Sequence, residues 1–281
     1  MANRLPAPPP LGPALVGEFL GTGLLIVVGV GANATDVLLN KAPDRMMVAS
    51  AWGLAVALGV YLSGRLSGGH LNPAVTLALA ARGDVPGSRV LPYILAQVAG
   101  AFLASLLAYA DYSEAFAAFE RDEHLVRGAM EGGKLVGTAA GGAGVFGTYP
   151  KFDSTWRNVL SEVLGTAVLL LGVRTLTDRR NAAPGGYLEP IALGALVLAI
   201  GLGLGGPTGY AINPARDFGP RLASAFLGWG PSVFRSHGYY FWIPIVAPLV
   251  GGLIGSTLYD LAIGRQLPPV DRPSPPGELS P

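Results

Sequence analysis

Two Asn-Pro-Ala triplets, Asn72-Pro73-Ala74 and Asn213-Pro214-Ala215, are the residues of this chain whose types and spacing bear most on chemistry. Asn is a preferred helix N-cap and Pro is favoured at the first helical position, so each triplet reads as the start of a helix. Set in apolar sequence, each Asn can cap with its side-chain oxygen and turn its amide NH2 toward a lumen. Two helix N-termini meeting at the midplane of a membrane, each with roughly half a positive charge, make an electropositive centre that opposes cations and protons. Each triplet also follows a Gly-rich approach, Ser67-Gly68-Gly69-His70-Leu71 and Gly205-Gly206-Pro207-Thr208-Gly209. These approaches cannot be helical throughout, and unwound backbone at membrane depth is tolerated only where it is buried or lines a wet cavity. The carbonyls of Gly68, Gly69, His70 and Leu71, and of Gly209, Tyr210, Ala211 and Ile212, then form a polar ladder beside apolar walls.

The frame around the triplets is a membrane frame. The 281 residues are 51% hydrophobic and 13% charged, with a mean hydropathy of +0.46, against roughly 25% charged in soluble domains. Spans of roughly 20 residues are expected at about 13–36, 46–64, 88–110, 156–177, 187–206 and 238–262, with shorter segments near 72–82 and 213–226. The stretch from Pro13 to Val30 is longer than a signal-peptide core and contains Glu18, so it reads as a retained first span. The Pro-rich stretch 1–12 and residues 266–281 read as disordered tails.

The two halves repeat. Glu18-Phe19-Leu20-Gly21-Thr22 and Glu162-Val163-Leu164-Gly165-Thr166 open the first and fourth spans, at nearly the same offset as the two triplets. Three spans per repeat is odd, so the second half enters the bilayer inverted. A segment of about 10 residues is about 15 Å long, half of a roughly 30 Å hydrocarbon core. The expected fold is therefore an all-α membrane protein, six transmembrane helices plus two reentrant half-helices in an inverted repeat, with repeat one at about 13–110 and repeat two at about 156–262. Short-loop Arg residues place both termini in the cytoplasm.

In these features the chain resembles the major intrinsic protein (aquaporin) family, and within it the aquaglyceroporin or glycerol facilitator branch. The resemblance covers about residues 13–265. It rests on Ser67-Gly68-Gly69-His70-Leu71-Asn72-Pro73-Ala74-Val75-Thr76 and on Gly209 to Pro220, with Asp217 after Arg216, Arg221 four further on, and Tyr149 and Pro244 as branch features. It implies a passive channel for glycerol and other small neutral solutes, with some water, that excludes ions and protons. It also implies a homotetramer with one pore per subunit, in the lipid bilayer of the plasma or inner membrane. The implied selectivity filter is Trp52, Gly201, Tyr210 and Arg216, and the implied central constriction is Asn72 and Asn213. Gly201 stands where water-selective members usually carry His, and leaves room. Trp52 and Tyr210 suit the carbon-hydrogen face of a polyol, and the permanently charged Arg216 offers fixed donors to its hydroxyl face. Tyr210 replaces the Phe common in the branch. Its hydroxyl either narrows the filter or points out of the pore, and slower glycerol flux than with Phe is expected.

Several residues have competing readings. Glu18 and Glu162 are intramembrane acids, open to a proton-relay role, but their symmetry favours scaffolding: acceptors for the reentrant loops. Asp217 is expected to fix loops or Arg221 rather than to touch solute. His70 reads as a pH gate or, preferably, a satisfied loop histidine. Gly17 with Gly21 and Gly251 with Gly255 read as packing faces. Two GxGxxG matches follow no strand and indicate no cofactor. With no Cys and three dispersed His, no metal site is expected, and a net charge of +1 gives no footprint for nucleic acid. A water-selective channel is disfavoured by Gly201 and Asp217. A secondary transporter would need a coupling-ion site, for which only Glu18 and Glu162 offer acids. No nucleophile–base pair points to an enzyme.

Overall fold

The computed structural model describes residues 9–40, 42–137 and 139–269. Of the stretches expected to be tails, 1–12 and 266–281, residues 1–8 and 270–281 lie outside the described residues, and Leu11 and Gly12 already belong to the first helix rather than to a tail. Repeat one runs α1 (Leu11–Ala34), α2 (Arg45–Ser67), the short α3 (Pro73–Ala81) and α4 (Val90–Asp111). A surface helix α5 (Ser113–Asp122) and a hairpin of β1 (Met130–Glu131) with β2 (Lys134–Leu135) lead into repeat two. That repeat comprises α6 (Thr155–Thr177), α7 (Glu189–Leu204), the short α8 (Pro214–Ser224), α9 (Ser232–Tyr239) and α10 (Ile243–Tyr259).

Among the described residues, five helical stretches are long and apolar enough to cross a membrane: Leu11–Leu39, Arg45–Ser67, Gly87–Asp111, Thr155–Thr177 and Ser232–Gly264. The sixth, α7, has 16 residues, about 24 Å at 1.5 Å per residue. It starts with Pro190 in its first turn and stops at Gly205, because the chain must unwind there to begin the second reentrant loop. The last span also differs from expectation. Residues Ser236 to Gly238 are not helical, with His237 and Gly238 left-handed, so the uninterrupted helix begins at Ile243, with Pro244 in its first turn.

The spans are inside-out relative to soluble helices. On α2 the exposed face carries Leu54, Leu58, Tyr61 and Leu62 at helical spacing, while Ala49, Gly53, Ala57, Gly59 and Ser63 are buried. On α4 the exposed residues are Leu91, Leu95, Leu103 and Leu107, and Gln97, Gly100, Ala101, Ala104 and Ser105 face inward. Large side chains thus coat the surface that hydrocarbon would cover, and small ones let backbones approach. One close crossing joins the repeats: a Cβ on Gly53 of α2 would lie 2.6 Å from the Gly194 carbonyl of α7, and one on Gly194 would lie 2.5 Å from the Gly53 carbonyl. Gly17 packs on α2, and Gly251 and Gly255 on α6, so both GxxxG pairs are spent inside the subunit.

Each half-helix packs on the last span of the other repeat, α3 on α10 and α8 on α4. That swap holds the triplets at one level. The long link between repeats folds over one end. Phe116, Phe146 and Trp229 form an aromatic cluster with ring centroids 5.6–5.8 Å apart. Arg127 lies 4.5 Å over the Trp229 ring and is paired with Glu120 at 2.5 Å.

Candidate functional site

The two triplets build matching turns. Asn72 and Asn213 are both extended N-caps, at φ −156° and −152°. Asn72 Oδ1 accepts from Ala74 N at 2.8 Å, and Asn213 Oδ1 from Ala215 N at 3.0 Å and Arg216 N at 3.2 Å. Pro73 and Pro214 occupy the first turns, with Ala74 and Ala215 fully buried behind them. The amides cross: Asn72 Nδ2 donates to the Ile212 carbonyl at 2.9 Å, and Asn213 Nδ2 to the Leu71 carbonyl at 2.8 Å. The half-helices are therefore joined head to head, each Asn reading the backbone that precedes the other.

The approach loops match in backbone as well. Left-handed φ values occur at Gly68, Gly69 and Leu71, and again at Gly209, Tyr210 and Ile212. For a β-branched residue such as Ile212, at φ 43°, that conformation is an outlier that the surroundings must impose. Two carboxylates supply the constraint. Glu18 accepts from the amides of His70 at 3.0 Å and Leu71 at 2.8 Å, and Glu162 from those of Ala211 at 3.0 Å and Ile212 at 2.8 Å. Gln97 adds a bond to Glu18 at 2.7 Å. Each reentrant loop thus has two consecutive amides tied to one buried carboxylate.

Two cavities meet beside this centre. An inner one of about 660 Å³ is lined by Gly68, Gly69, His70, Leu71, Ala211 and Ile212 on one side, with Asn72 and Asn213, and by valines and leucines of the spans opposite. An outer one of about 300 Å³, which Gly209 lines, opens under the link between repeats. Trp52, Tyr210 and Arg216 are the three residues common to both linings. The Arg216 guanidinium lies 4.1 Å over the Trp52 ring, and its Nη1 reaches the Phe146 carbonyl at 3.4 Å.

Gly201 lines neither cavity. A Cβ there would sit 2.9 Å from Tyr210 Cζ, so the room it leaves is filled by the Tyr210 ring rather than added to the lumen. The Tyr210 hydroxyl is buried, with no hydrogen-bond partner among the described residues. Of the two orientations open to it, it takes the one out of the pore.

Asp217 faces away from the lumen. It accepts from Thr148 N at 2.7 Å and Thr148 Oγ1 at 2.8 Å, and pairs with Arg221 Nε at 2.7 Å. Arg221 in turn donates to the Thr148 and Val233 carbonyls. His70 is buried, with Nδ1 3.1 Å from Thr76 Oγ1 and its ring 5.3 Å from that of Tyr93.

The sequence reading missed Gly29 and Asn33. A Cβ on Gly29 would lie 2.5 Å from the Trp52 ring, and Asn33 Oδ1 accepts from Trp52 Nε1 at 3.1 Å. The signal was an Asn in the last turn of an apolar span, one helical turn after a Gly. An intramembrane polar residue is a functional candidate by default.

The model of the family described as major intrinsic protein matches residues 10–259. The chain is 44% identical to the propanediol uptake facilitator PduF of Salmonella typhimurium, over 89% of this chain and 94% of that one. It is 41% identical to the glycerol uptake facilitator protein of Escherichia coli strain K12, over 90% and 89%. Among solved structures it is similar to the aquaglyceroporin from Plasmodium falciparum, with a TM-score of 0.80 at 29% identity, covering 90% of this chain and 97% of that one.

Proposed function

The chain belongs to the major intrinsic protein family, and within that family of channels we propose that it passes glycerol and similarly small neutral polyols through a filter made by Trp52, Tyr210 and Arg216, with Gly201 as the seat of the Tyr210 ring. It is a multi-pass membrane protein and a passive transport channel, not an enzyme. The observation that carries the solute assignment is the placement of those three side chains where the two cavities meet. Two aromatic faces oppose the hydrocarbon side of a polyol, and one guanidinium addresses its hydroxyls. Propane-1,2-diol differs from glycerol by one hydroxyl and fits the same corner, in keeping with the relatives of both descriptions.

Asn72 and Asn213 are the central constriction in this reading, donating to solute hydroxyls as each passes. The loop carbonyls of 68–71 and 209–212 are the polar rail. Glu18, Glu162 and Asp217 are scaffold. The channel unit is residues 13–265, assembled as a homotetramer in the cell membrane with both termini cytoplasmic.

The test is stopped-flow light scattering on proteoliposomes challenged with glycerol, propane-1,2-diol and an impermeant sugar. Fast, non-saturating reswelling in both polyols, independent of ion gradients, is expected. Water flux without polyol entry would place the chain among water-selective members instead.

A further inference from the structure

Asn33 lies outside the filter and touches it from behind. It sits in the last turn of α1, four residues after Gly29, so the two share one helix face. The bare Gly29 surface receives the Trp52 ring, and Asn33 receives its indole N–H at 3.1 Å. The other end of the same amide is also used: Asn33 Nδ2 donates to the Val145 carbonyl at 2.9 Å. Val145 ends a short 3-10 turn, Ala143–Val145. The next residue, Phe146, is fixed in the aromatic cluster and offers its carbonyl to Arg216. One amide thus closes a ring from Trp52 through Asn33 and the 145–146 backbone to Arg216, which lies over Trp52.

The chemistry of Trp makes this consequential. The indole is apolar except for one donor, which needs a partner when buried. With that donor tied to Asn33, at the side of the outer cavity, the ring shows the lumen only carbon. Without Asn33 the N–H must find water, and the available water is in the lumen. The ring then turns a polar edge into the wall that faces a solute's C–H groups. Asn suits the position because it accepts and donates at once; Leu or Val does neither, and a carboxylate keeps only the acceptor.

We propose that Asn33 is a positioning residue for solute selectivity: it orients Trp52 by accepting its indole N–H and anchors that orientation to the 145–146 backbone. The inference rests on Trp52 being a wall of the filter.

The full chain in proteoliposomes gives the test, with glycerol and water permeabilities measured for Asn33→Leu alone and in a Trp52→Phe background. Asn33→Leu is expected to lower the glycerol-to-water ratio roughly three- to tenfold, the scale of one buried hydrogen bond. In the Trp52→Phe background, which has no indole N–H, the same replacement leaves the ratio unmoved. Asn33→Asp keeps most of the ratio that Asn33→Leu loses. An unchanged ratio in Asn33→Leu, or an equal shift in both backgrounds, overturns the positioning role. If Trp52→Phe alone leaves both permeabilities unchanged, the filter reading itself fails, a distinct outcome. Asn33→Val carries the same expectation where Asn33→Leu does not insert. Loss of folding in both, with Asn33→Asp folded, would make the amide structural and overturn the proposal.

Discussion

Tyr210 decides more about the narrow point than its extra oxygen suggests. It stands at φ 41°, a conformation that costs an ordinary residue roughly 1–2 kcal/mol. The equivalent position in the first loop is Gly69, which adopts φ 66° freely. The second loop carries the strain because a ring is needed there, and Gly201 of α7 with Gly205 just past its end leave the hollow that receives it. Gly201→Ala puts a Cβ into the far end of that ring, which can move only toward the lumen. Glycerol permeability is expected to fall about tenfold while water falls less, a difference of about 1.4 kcal/mol in the glycerol barrier, read by stopped-flow on one preparation. Tyr210→Phe tests the opposite edge. The lost hydroxyl is buried, with no hydrogen-bond partner among the described residues, and burying such a group costs about 1–3 kcal/mol. The variant should unfold at higher temperature in detergent, with glycerol flux within about twofold of the parent. A large gain in flux would show that the oxygen reaches the pore after all and would restore the slower flux expected from the sequence.

At the scale of elements, what was legible depended on whether a signal was local. The starts of α3 and α8 were legible because Asn-Pro is a capping signature whatever surrounds it. The inverted repeat was legible because Glu18 and Glu162 recur at nearly the triplet spacing. The short α7 and the late start of α10 were not, since hydropathy runs through both breaks and the φ values at His237 and Gly238 have no apolar signature. The link between repeats carries no expected span, yet it holds α5, a hairpin and the Phe116–Phe146–Trp229 cluster, whose partners are distant in sequence. Asn33 escaped for the same reason: its partners are 19 and 112 residues away. Charged contacts at the helix ends were likewise invisible and are testable. Asp178, just past α6, is bound by Arg180 at 2.7 Å and by the Tyr259 hydroxyl of α10 at 3.1 Å. Chiefly through its hydrogen bonds with Arg180, its carboxyl is pushed down to about 2 from 3.8. A folded-state pKa below the unfolded one gives stability that is complete above about pH 4 and is lost as pH falls toward 2. Asp178→Asn should flatten the fall of the unfolding midpoint across that window relative to the parent. The difference should be modest, since the pair meets solvent. Parallel curves for the two proteins would show that the contact contributes nothing.

For the molecule as a whole, charge meets two barriers: one at Arg216, from the second repeat alone, and one at the crossed Asn pair, built by both repeats. The crossed Asn pair brings two helix N-termini together, each worth roughly half a positive charge, and Arg216 adds a full charge nearer the outer cavity. A unit charge about 5 Å from a cation opposes it by about 3 kcal/mol at an effective dielectric of about 20. Protons and metal cations meet these barriers differently. A proton relayed along a water file sheds no hydration shell, so for it the electrostatic barrier is the main one. A potassium ion must also lose water in a cavity walled largely by the valines and leucines of the spans. Arg216→Gln is therefore expected to raise proton permeability by about ten- to hundredfold, the range set by that 3 kcal/mol as an upper bound, while potassium stays excluded. A pH dye inside proteoliposomes, clamped with a potassium ionophore, reads the first, and potassium-driven dye response without the ionophore reads the second. Placing a negative charge at the centre with Asn213→Asp, in the same chain, removes the second barrier as well and should raise proton leak further than either change alone. A potassium leak from Arg216→Gln by itself would mean that exclusion rests on one residue of the second repeat, and that the head-to-head helices built by both repeats serve position rather than charge.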